Sequence, residues 1–121
     1  MAIAIIVAIV LIGVAGLWFT LRRMPFARGF DEKFGDQHLK TTVALVELHK
    51  LRYGRYPQSL SELQFVGDWD GIALNSVSYH ANDAGTRYCV EVERGWIGKP
   101  RLEMPAEFWR GTGYDASLCR Q

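Results

Sequence analysis

Charge is absent from the first 21 residues of this 121-residue chain, although 14 basic and 13 acidic residues follow. Twelve of these 21 residues are Ile, Val, Leu or Phe, which favours transfer into lipid by about 4–7 kcal/mol. A helix of this length reaches roughly 30 Å, the thickness of the hydrocarbon core of a bilayer. The missing charge therefore argues against a solvent-facing helix and predicts a transmembrane helix over residues 1–23.

An excess of charge of one sign is also missing, since the formal net charge is only +1. The composition gives no electrostatic reason to expect nucleic acid or a strongly acidic partner. Internal repeats and low-complexity runs are absent from the sequence as well. The roughly one hundred residues that follow the span suffice for one small domain, which we assign to residues 24–121.

The apolar segment allows two other interpretations. Val14-Ala15-Gly16 resembles a signal-peptide cleavage site. However, no Lys or Arg precedes the apolar run, and the run exceeds the usual 7–15 residues of a signal peptide. A buried core helix is disfavoured because so small a domain cannot cover a helix that is apolar on all sides. We therefore expect a retained membrane anchor.

Cysteine is scarce, and its count bears on the side of the membrane that the domain occupies. Cys89 and Cys119 favour one disulfide outside the reducing cytosol, with two unrelated free thiols as the alternative. In contrast, Arg22, Arg23 and Arg28 follow the span and no basic residue precedes it. The positive-inside rule then favours the cytoplasm. The two signals disagree, so they leave the orientation open.

Apolar residues at helical spacing predict an amphipathic second helix over about residues 36–53, with Asp36 as N-cap and Gly54 just past its end. Met24-Pro25 should end or kink the first helix. Glu47 and the neighbouring lysines are expected to point away from the core. The predicted head core consists of Leu45, Leu48, Leu51, Tyr56, Val90 and Val92.

The rest of the domain reads as short elements around a hairpin. Ser59 and Glu62 have the spacing of a capping box, which predicts a short helical turn, and a loop with Gly67, Asp68, Asp70 and Gly71 is expected after it. Alternation over residues 77–80 and 88–93 predicts an antiparallel β-hairpin, with Tyr88, Val90 and Val92 facing the helix. A third, edge strand is expected near residues 96–103. The fold class is therefore α+β: a transmembrane helix, an amphipathic helix on a small antiparallel sheet, and an irregular tail that Cys119 tethers.

This order of elements resembles that of the type IV pilin and type II secretion pseudopilin superfamily. In pseudopilins a similar aliphatic helix ends in a Gly-x-Tyr-Pro turn followed by Ser-Leu, and Pro25 resembles the helix-kinking proline of many members. The stretch with most sequence specificity is Tyr53-Gly54-Arg55-Tyr56-Pro57-Gln58-Ser59-Leu60.

The resemblance implies a structural subunit of an envelope assembly, anchored once in the bacterial inner membrane with its head in the periplasm. Its partners would be membrane lipid and other pilin-like subunits or envelope assembly proteins, with no nucleic acid, small-molecule substrate, cofactor or catalysis. The resemblance also implies a disulfide-closed C-terminal loop.

The chain departs from the family pattern at two places. It begins Met1-Ala2-Ile3, without the basic leader of family precursors, and Ile5 stands where the family has an acidic residue. We therefore expect processing and assembly to differ from the ordinary route, with a non-assembling periplasmic binding, accessory or immunity protein as the alternative function. The residues expected to pack the membrane helix against others are Ala4, Ile5, Ala8, Ile12 and Gly13.

Residues that carry chemistry are few and scattered. His38, His49 and His80 show no metal-ligand spacing. A Cys89–His80 nucleophile and base pair lacks any third orienting group, so we expect no enzyme.

Asp68, Asp70 and Asn75 have oxygen ligands, but no bidentate Glu follows at an EF-hand distance. Calcium remains an option there because some pseudopilins bind it in a loop of the β region. Of the distal aromatic residues, Trp109 and Tyr114 are the candidates for partner contact, whereas others should fill the core.

Overall fold

The computed structural model describes residues 1–64 and 66–120. Two long helices come first, followed by a short helix and a two-stranded antiparallel sheet. Short 3-10 turns lie at Leu60–Glu62, Ala106–Trp109 and Ala116–Arg120. The named elements are α1 (Ala2–Arg23), α2 (Pro25–Tyr53), α3 (Asp68–Leu74), β1 (Val77–Ala81) and β2 (Tyr88–Val92). The observed fold class is therefore α+β.

The break between α1 and α2 lies at Met24, as predicted. Met24 is extended, with φ −70° and ψ 137°, because a following proline disfavours α geometry at the preceding residue. Pro25 then occupies the first position of α2, where its missing N–H is not needed. The other end is also as predicted: Gly54 has φ 78° and donates its N–H to the carbonyl of Lys50 at 2.8 Å.

The predicted start of the second helix at Asp36 was wrong. Helix α2 already begins at Pro25 and runs through Gly29 and Gly35. Asp36 is an interior residue whose carboxylate pairs with Lys40 at 2.8 Å. Gly35 is needed for packing, since a Cβ there would lie 2.6 Å from the Cγ of Pro100. Tertiary contact thus stabilises a helical stretch that contains two glycines.

The hairpin forms in the predicted place, and its register pairs Val77 with Val92 and Ala81 with Tyr88. One face of β2 packs on α2 through Tyr88, Val90 and Val92, as predicted. The buried core cluster is Leu39, Val43, Val46, Tyr56, Tyr88, Val90 and Val92. Three of the six predicted core residues, Tyr56, Val90 and Val92, are therefore confirmed.

The predicted leucine stripe does not face this core. Leu51 is 83% exposed, which contradicts its assignment. Leu45 and Leu48 are only half-buried and line a shallow depression with Leu63. At 100° per residue these leucines lie on the opposite side of α2 from the buried residues Leu39, Val43 and Val46. The helix carries two apolar stripes, and the sheet covers the one with the valines.

Three smaller predictions were wrong. Ser59 and Glu62 form no capping box: the carboxylate of Glu62 accepts the N–H of Gln58 at 3.2 Å, although the short helical turn is present. The expected loop around Asp70 is α3, where that carboxylate accepts the N–H of Gly67 at 2.8 Å. In the part of the chain that the structure describes, no third strand forms over residues 96–103.

The segment expected to be that third strand is instead bound to α2. One carboxylate oxygen of Asp31, Oδ1, accepts the backbone N–H groups of Trp96, Ile97 and Gly98 at 2.9, 2.7 and 3.0 Å. Gly95 lies directly on the helix backbone, since a Cβ there would lie 2.2 Å from the carbonyl oxygen of Asp31. We call this contact the Asp31 clamp. It fixes a loop to a helix 65 residues away in sequence.

The C-terminal tail is held against β2, as predicted. Cys89 and Cys119 form a disulfide with Cα atoms 5.5 Å apart. The backbone N–H of Tyr88 donates to Gly113 at 2.9 Å, and Asp115 donates to the carbonyl of Tyr88 at 2.7 Å. Cys89 is fully buried although it lies on the face expected to be solvent-exposed, because the tail covers that face.

The clamp predicts a large penalty for Gly95→Ala. The added methyl group meets backbone atoms that cannot rotate away, so we expect the free energy of unfolding to fall by about 3 kcal/mol. The measurement is thermal unfolding of the detergent-solubilised full chain. Gly29→Ala is the matched control, since a Cβ there has nothing within 4 Å and alanine in a helix is about 0.5–1 kcal/mol more stable than glycine. Equal stability of the two variants would contradict the clamp.

Candidate interaction surfaces

Helix α1 is the first surface without a partner. It is long and apolar enough to cross a membrane by length and composition, and no residue of it is buried. Ala4 and Ala8 lie one turn apart on the same side, with Ile5 and Ile12 beside them, whereas Gly13 lies on the far side at 100° per residue. The structure brings none of these predicted packing residues against another element.

The end of α1 carries charge over aromatic rings. The guanidinium of Arg22 lies 5.3 Å from the ring centroid of Trp18, and that of Arg23 lies 4.3 Å from Phe19. Such side chains cover apolar surface with their stems while the charged group reaches water. Cations at a helix C-terminus also interact favourably with its dipole. This end of α1 is therefore built for an apolar-to-polar boundary.

Three aromatic side chains follow the end of α1 along the first turns of α2. Phe26, Phe30 and Phe34 repeat every fourth residue, with ring centroids 4.7 and 6.4 Å apart. Trp96, from the loop held by the Asp31 clamp, packs 5.4 Å from Phe30. The spacing of the phenylalanines is visible in the sequence, but the tryptophan joins them only through the tertiary fold.

A second surface is a groove of about 500 Å³ between α2, α3 and the clamped loop. Trp69 is 84% exposed and Trp96 is 50% exposed, so large apolar side chains stand in contact with solvent. Exposed apolar clusters of this kind mark interaction sites in soluble domains. We call this surface the aromatic groove and define it by Phe34, His38, Trp69, Ile72, Arg94 and Trp96.

His38 lies buried beside this groove. Burial lowers its pKa most strongly, a backbone hydrogen bond to Gly95 opposes this shift, and the nearby positive charge of Arg94 lowers the pKa further. The imidazole is therefore held toward its neutral form, which suits an apolar surface.

The predicted partner residues Trp109 and Tyr114 lie elsewhere. Their rings stack with centroids 3.7 Å apart, and both are half-buried against the core. They act in this structure as packing residues of the tail. The strongly exposed tryptophans of the head are Trp69 and Trp96, which the sequence patterns did not single out.

A polar cluster lies within the head at the other end of α2. The hydroxyls of Tyr56 and Tyr88 donate to Oε1 of Glu47 at 3.0 and 3.1 Å, and the N–H of Gly113 donates to the hydroxyl of Tyr56 at 2.7 Å. The ammonium of Lys50 lies 4.6 Å from the ring centroid of Tyr56. The expectation that Glu47 points away from the core was therefore wrong. The cluster ties α2, β2 and the tail together.

Burial and the neighbouring carboxylate of Glu47 raise the pKa of Tyr56 to about 12. Burial also raises the pKa of Tyr79 and Tyr88 well above the usual value for tyrosine. These hydroxyls are therefore hydrogen-bond donors at neutral pH. Their partners are protein groups, so the cluster reads as structural support.

The other candidate chemistry is not assembled into a site. His80 lies opposite Cys89 in the sheet, but the disulfide removes the thiol that a nucleophile would need. Nδ1 of His49 lies 2.9 Å from the carbonyl oxygen of Arg55. Asp68 and Asp70 lie in the first turn of α3. Among residues 1–64 and 66–120, no three His, Cys, Asp or Glu side chains converge as a metal site would require.

Comparisons with known proteins return nothing for this chain: no family model matches, and neither a curated protein nor a solved structure gives a match.

The polar cluster predicts a specific cost for Tyr56→Phe. The change leaves the N–H of Gly113 and one bond to Glu47 without the tyrosine hydroxyl, so we expect a loss of about 1–3 kcal/mol in the free energy of unfolding. Tyr53→Phe is the control, because its hydroxyl donates to Gln64 at the surface and we expect a loss below about 0.5 kcal/mol. Both are measured by chemical denaturation of the full chain in detergent.

The same hydroxyl predicts alkaline sensitivity. An unfolded tyrosine loses its proton near pH 10, whereas folded Tyr56 keeps it until about pH 12. The folded state binds more protons between these values, so stability is present below pH 10 and is lost as the pH rises. Tyr56→Phe should make the decline shallower by about 1.4 kcal/mol per pH unit, measured by denaturation at a series of pH values. An unchanged slope would contradict the assignment.

Proposed function

We propose that this chain is a pilin-like or pseudopilin-like structural subunit of a type IV pilus or type II secretion-type envelope assembly. Helix α1 anchors it in the bacterial inner membrane, and the head lies in the periplasm. One observation supports this above the others: an apolar helix with no buried residue, charged only in its last turn, leads through Met24-Pro25 into a second long helix. A small sheet packs on that second helix, and a disulfide ties the C-terminal tail to the sheet.

The proposed mechanism is contact between helices and heads. Lipid tails are as apolar as the helix surface, so association in the membrane depends on close packing at small residues. Ala4 and Ala8 offer such a face on α1. Helix α2, clamped to the loop at Asp31, carries the head at a fixed distance from the membrane. The aromatic groove then supplies the apolar surface on the head for a neighbouring subunit or assembly protein.

The proposed orientation depends on the disulfide. A Cys89–Cys119 bond persists in an oxidising compartment, which supports the periplasmic side. The arginines after α1 support the opposite side by the positive-inside rule. We place more weight on the disulfide because it joins the tail to the buried centre of β2, where Cys89 is fully covered. No catalytic step, cofactor or nucleic acid enters this function.

A second candidate function is a membrane-anchored binding, accessory or immunity protein that does not assemble. Ile5 favours it, because a carboxylate at this place would pair with the amino terminus of a neighbouring subunit and this chain has none. An unpaired charge in lipid is costly, so such a pair would provide a strong docking instruction. Without it, α1 anchors the head and the aromatic groove binds a partner one to one.

Two measurements separate these functions. The full chain is reconstituted in neutral vesicles, washed with alkaline carbonate, and its self-association is followed by energy transfer between labelled copies. For a subunit we expect retention in the vesicles and association that Ala8→Leu weakens about fivefold or more by blocking close approach. Ala2→Leu adds the same bulk about 120° around the helix from Ala8 and should have little effect.

A chain that stays in the vesicles but is monomeric at every protein-to-lipid ratio would favour the accessory function. The same conclusion would follow if the native cells carry the chain but filaments sheared from them do not. Release of the chain by the carbonate wash would contradict both functions, since both require α1 to span the bilayer.

A further inference from the structure

A second cleft, of about 460 Å³, lies where α1 ends and the head begins. Four cationic and two acidic side chains line it, so positive charge is in excess. They come from the last turn of α1, the first turns of α2 and the loop that follows β2. We call it the basic cleft and define it by Arg22, Arg28, Asp31, Glu93, Arg94 and Lys99.

The Asp31 clamp assembles this cleft. The loop from Arg94 to Lys99 would be free to lie elsewhere if its backbone were not bound to α2, and Gly95 allows the approach. The clamp therefore brings cations from the loop beside Arg22 and Arg28, which precede it by some 70 residues in sequence. Three distant segments meet at one place.

The positive charge of the cleft is poorly balanced. The carboxylate of Asp31 is held by three backbone N–H groups, and the carboxylate of Glu93 lies 3.9 Å from the ammonium of Lys99. Among the residues that the structure describes, Arg22, Arg28 and Arg94 form no ion pair. Like charges held together repel, so an anion in the cleft is favoured.

The position of the cleft identifies the kind of anion. Arg22 is the first charged residue after 21 uncharged ones, so in a membrane it lies at the level of the lipid headgroups. Trp18, one turn before Arg22, is 53% exposed, and tryptophan is enriched at this level of the bilayer. Lipid phosphate is the anion present there at high local concentration.

We propose that the basic cleft binds the headgroup phosphate of an anionic phospholipid, an inference that depends on the membrane placement proposed above. One arginine guanidinium group can bind a phosphate through two parallel N–H···O hydrogen bonds. A phosphate shared by Arg22 on α1 and by Arg28 and Arg94 on the head fixes the angle between the membrane helix and the head at Met24.

Native mass spectrometry of the full chain in neutral detergent tests this, with short-chain phosphatidylglycerol, short-chain phosphatidylcholine and inorganic phosphate as the three probes. We expect phosphatidylglycerol to bind most tightly. The double variant Arg28→Gln with Arg94→Gln should lower the affinity for phosphatidylglycerol about tenfold to thirtyfold, because each cation removed near a lipid headgroup lowers the affinity about fivefold. The control is Arg55→Gln with Arg110→Gln, which removes the same charge from the other end of the head and should bind as the unchanged chain does.

The outcomes separate this inference from the proposed function. Equal binding of the two lipids, or binding of phosphatidylglycerol that the Arg28 and Arg94 changes leave intact, overturns the headgroup site. Binding of inorganic phosphate as tight as that of the lipid overturns the lipid assignment. Retention of the chain in neutral phosphatidylcholine vesicles after a carbonate wash reports on α1 alone. Its loss would contradict the membrane placement whatever the lipid probes show. A thermal unfolding midpoint unchanged in the double variant verifies that the head remains folded.

Discussion

The position of the loop after β2 and both candidate interfaces depend on one contact, that of the carboxylate of Asp31 with three consecutive backbone N–H groups. Such charge-assisted hydrogen bonds are stronger than neutral ones. Residues 96–98 form no strand, and their N–H groups donate to this carboxylate instead. One anchored loop then serves two surfaces. It carries Trp96 to the aromatic groove and Arg94 to both the groove and the basic cleft. The clamp thus links the packing of the head to both of its candidate interfaces.

The two ends of α2 are stabilised differently. Near α1 few side chains are buried: Phe26 is exposed, and the clamp is the main link between α2 and the loop. At the far end, the valines, the tyrosines bound to Glu47 and the disulfide form a dense core. Small domains with limited apolar cores commonly depend on such staples. The densely packed end stabilises the fold, whereas the end near α1 carries the two proposed interaction surfaces.

Sequence patterns predicted the elements whose causes are local. Met24-Pro25 breaks the helix through sterics between neighbours, Gly54 ends it through its left-handed backbone, and alternation around residues 82–85 gives the hairpin. The sequence patterns failed where two faces of one helix were equally suitable for burial. Helix α2 has two apolar stripes, and the predicted one, with Leu51, faces solvent. The sheet covers the stripe that contains the valines, because those valines lie level with the inward face of β2. The sequence of α2 alone does not contain this information.

Four features could be recognised in the sequence: a charge-free run long enough to cross a bilayer, a helix break before Pro25, a hairpin, and a pair of cysteines able to close the tail. Each of these follows from chemistry within a few residues or from the count of one residue type. Only the tertiary structure decided which face of α2 is buried and that Glu47 points inward. It alone brought the loop after β2 to Asp31. Those outcomes depend on contacts between residues tens of positions apart in sequence, such as a carboxylate and the three N–H groups that donate to it. The local sequence around either partner does not indicate the contact.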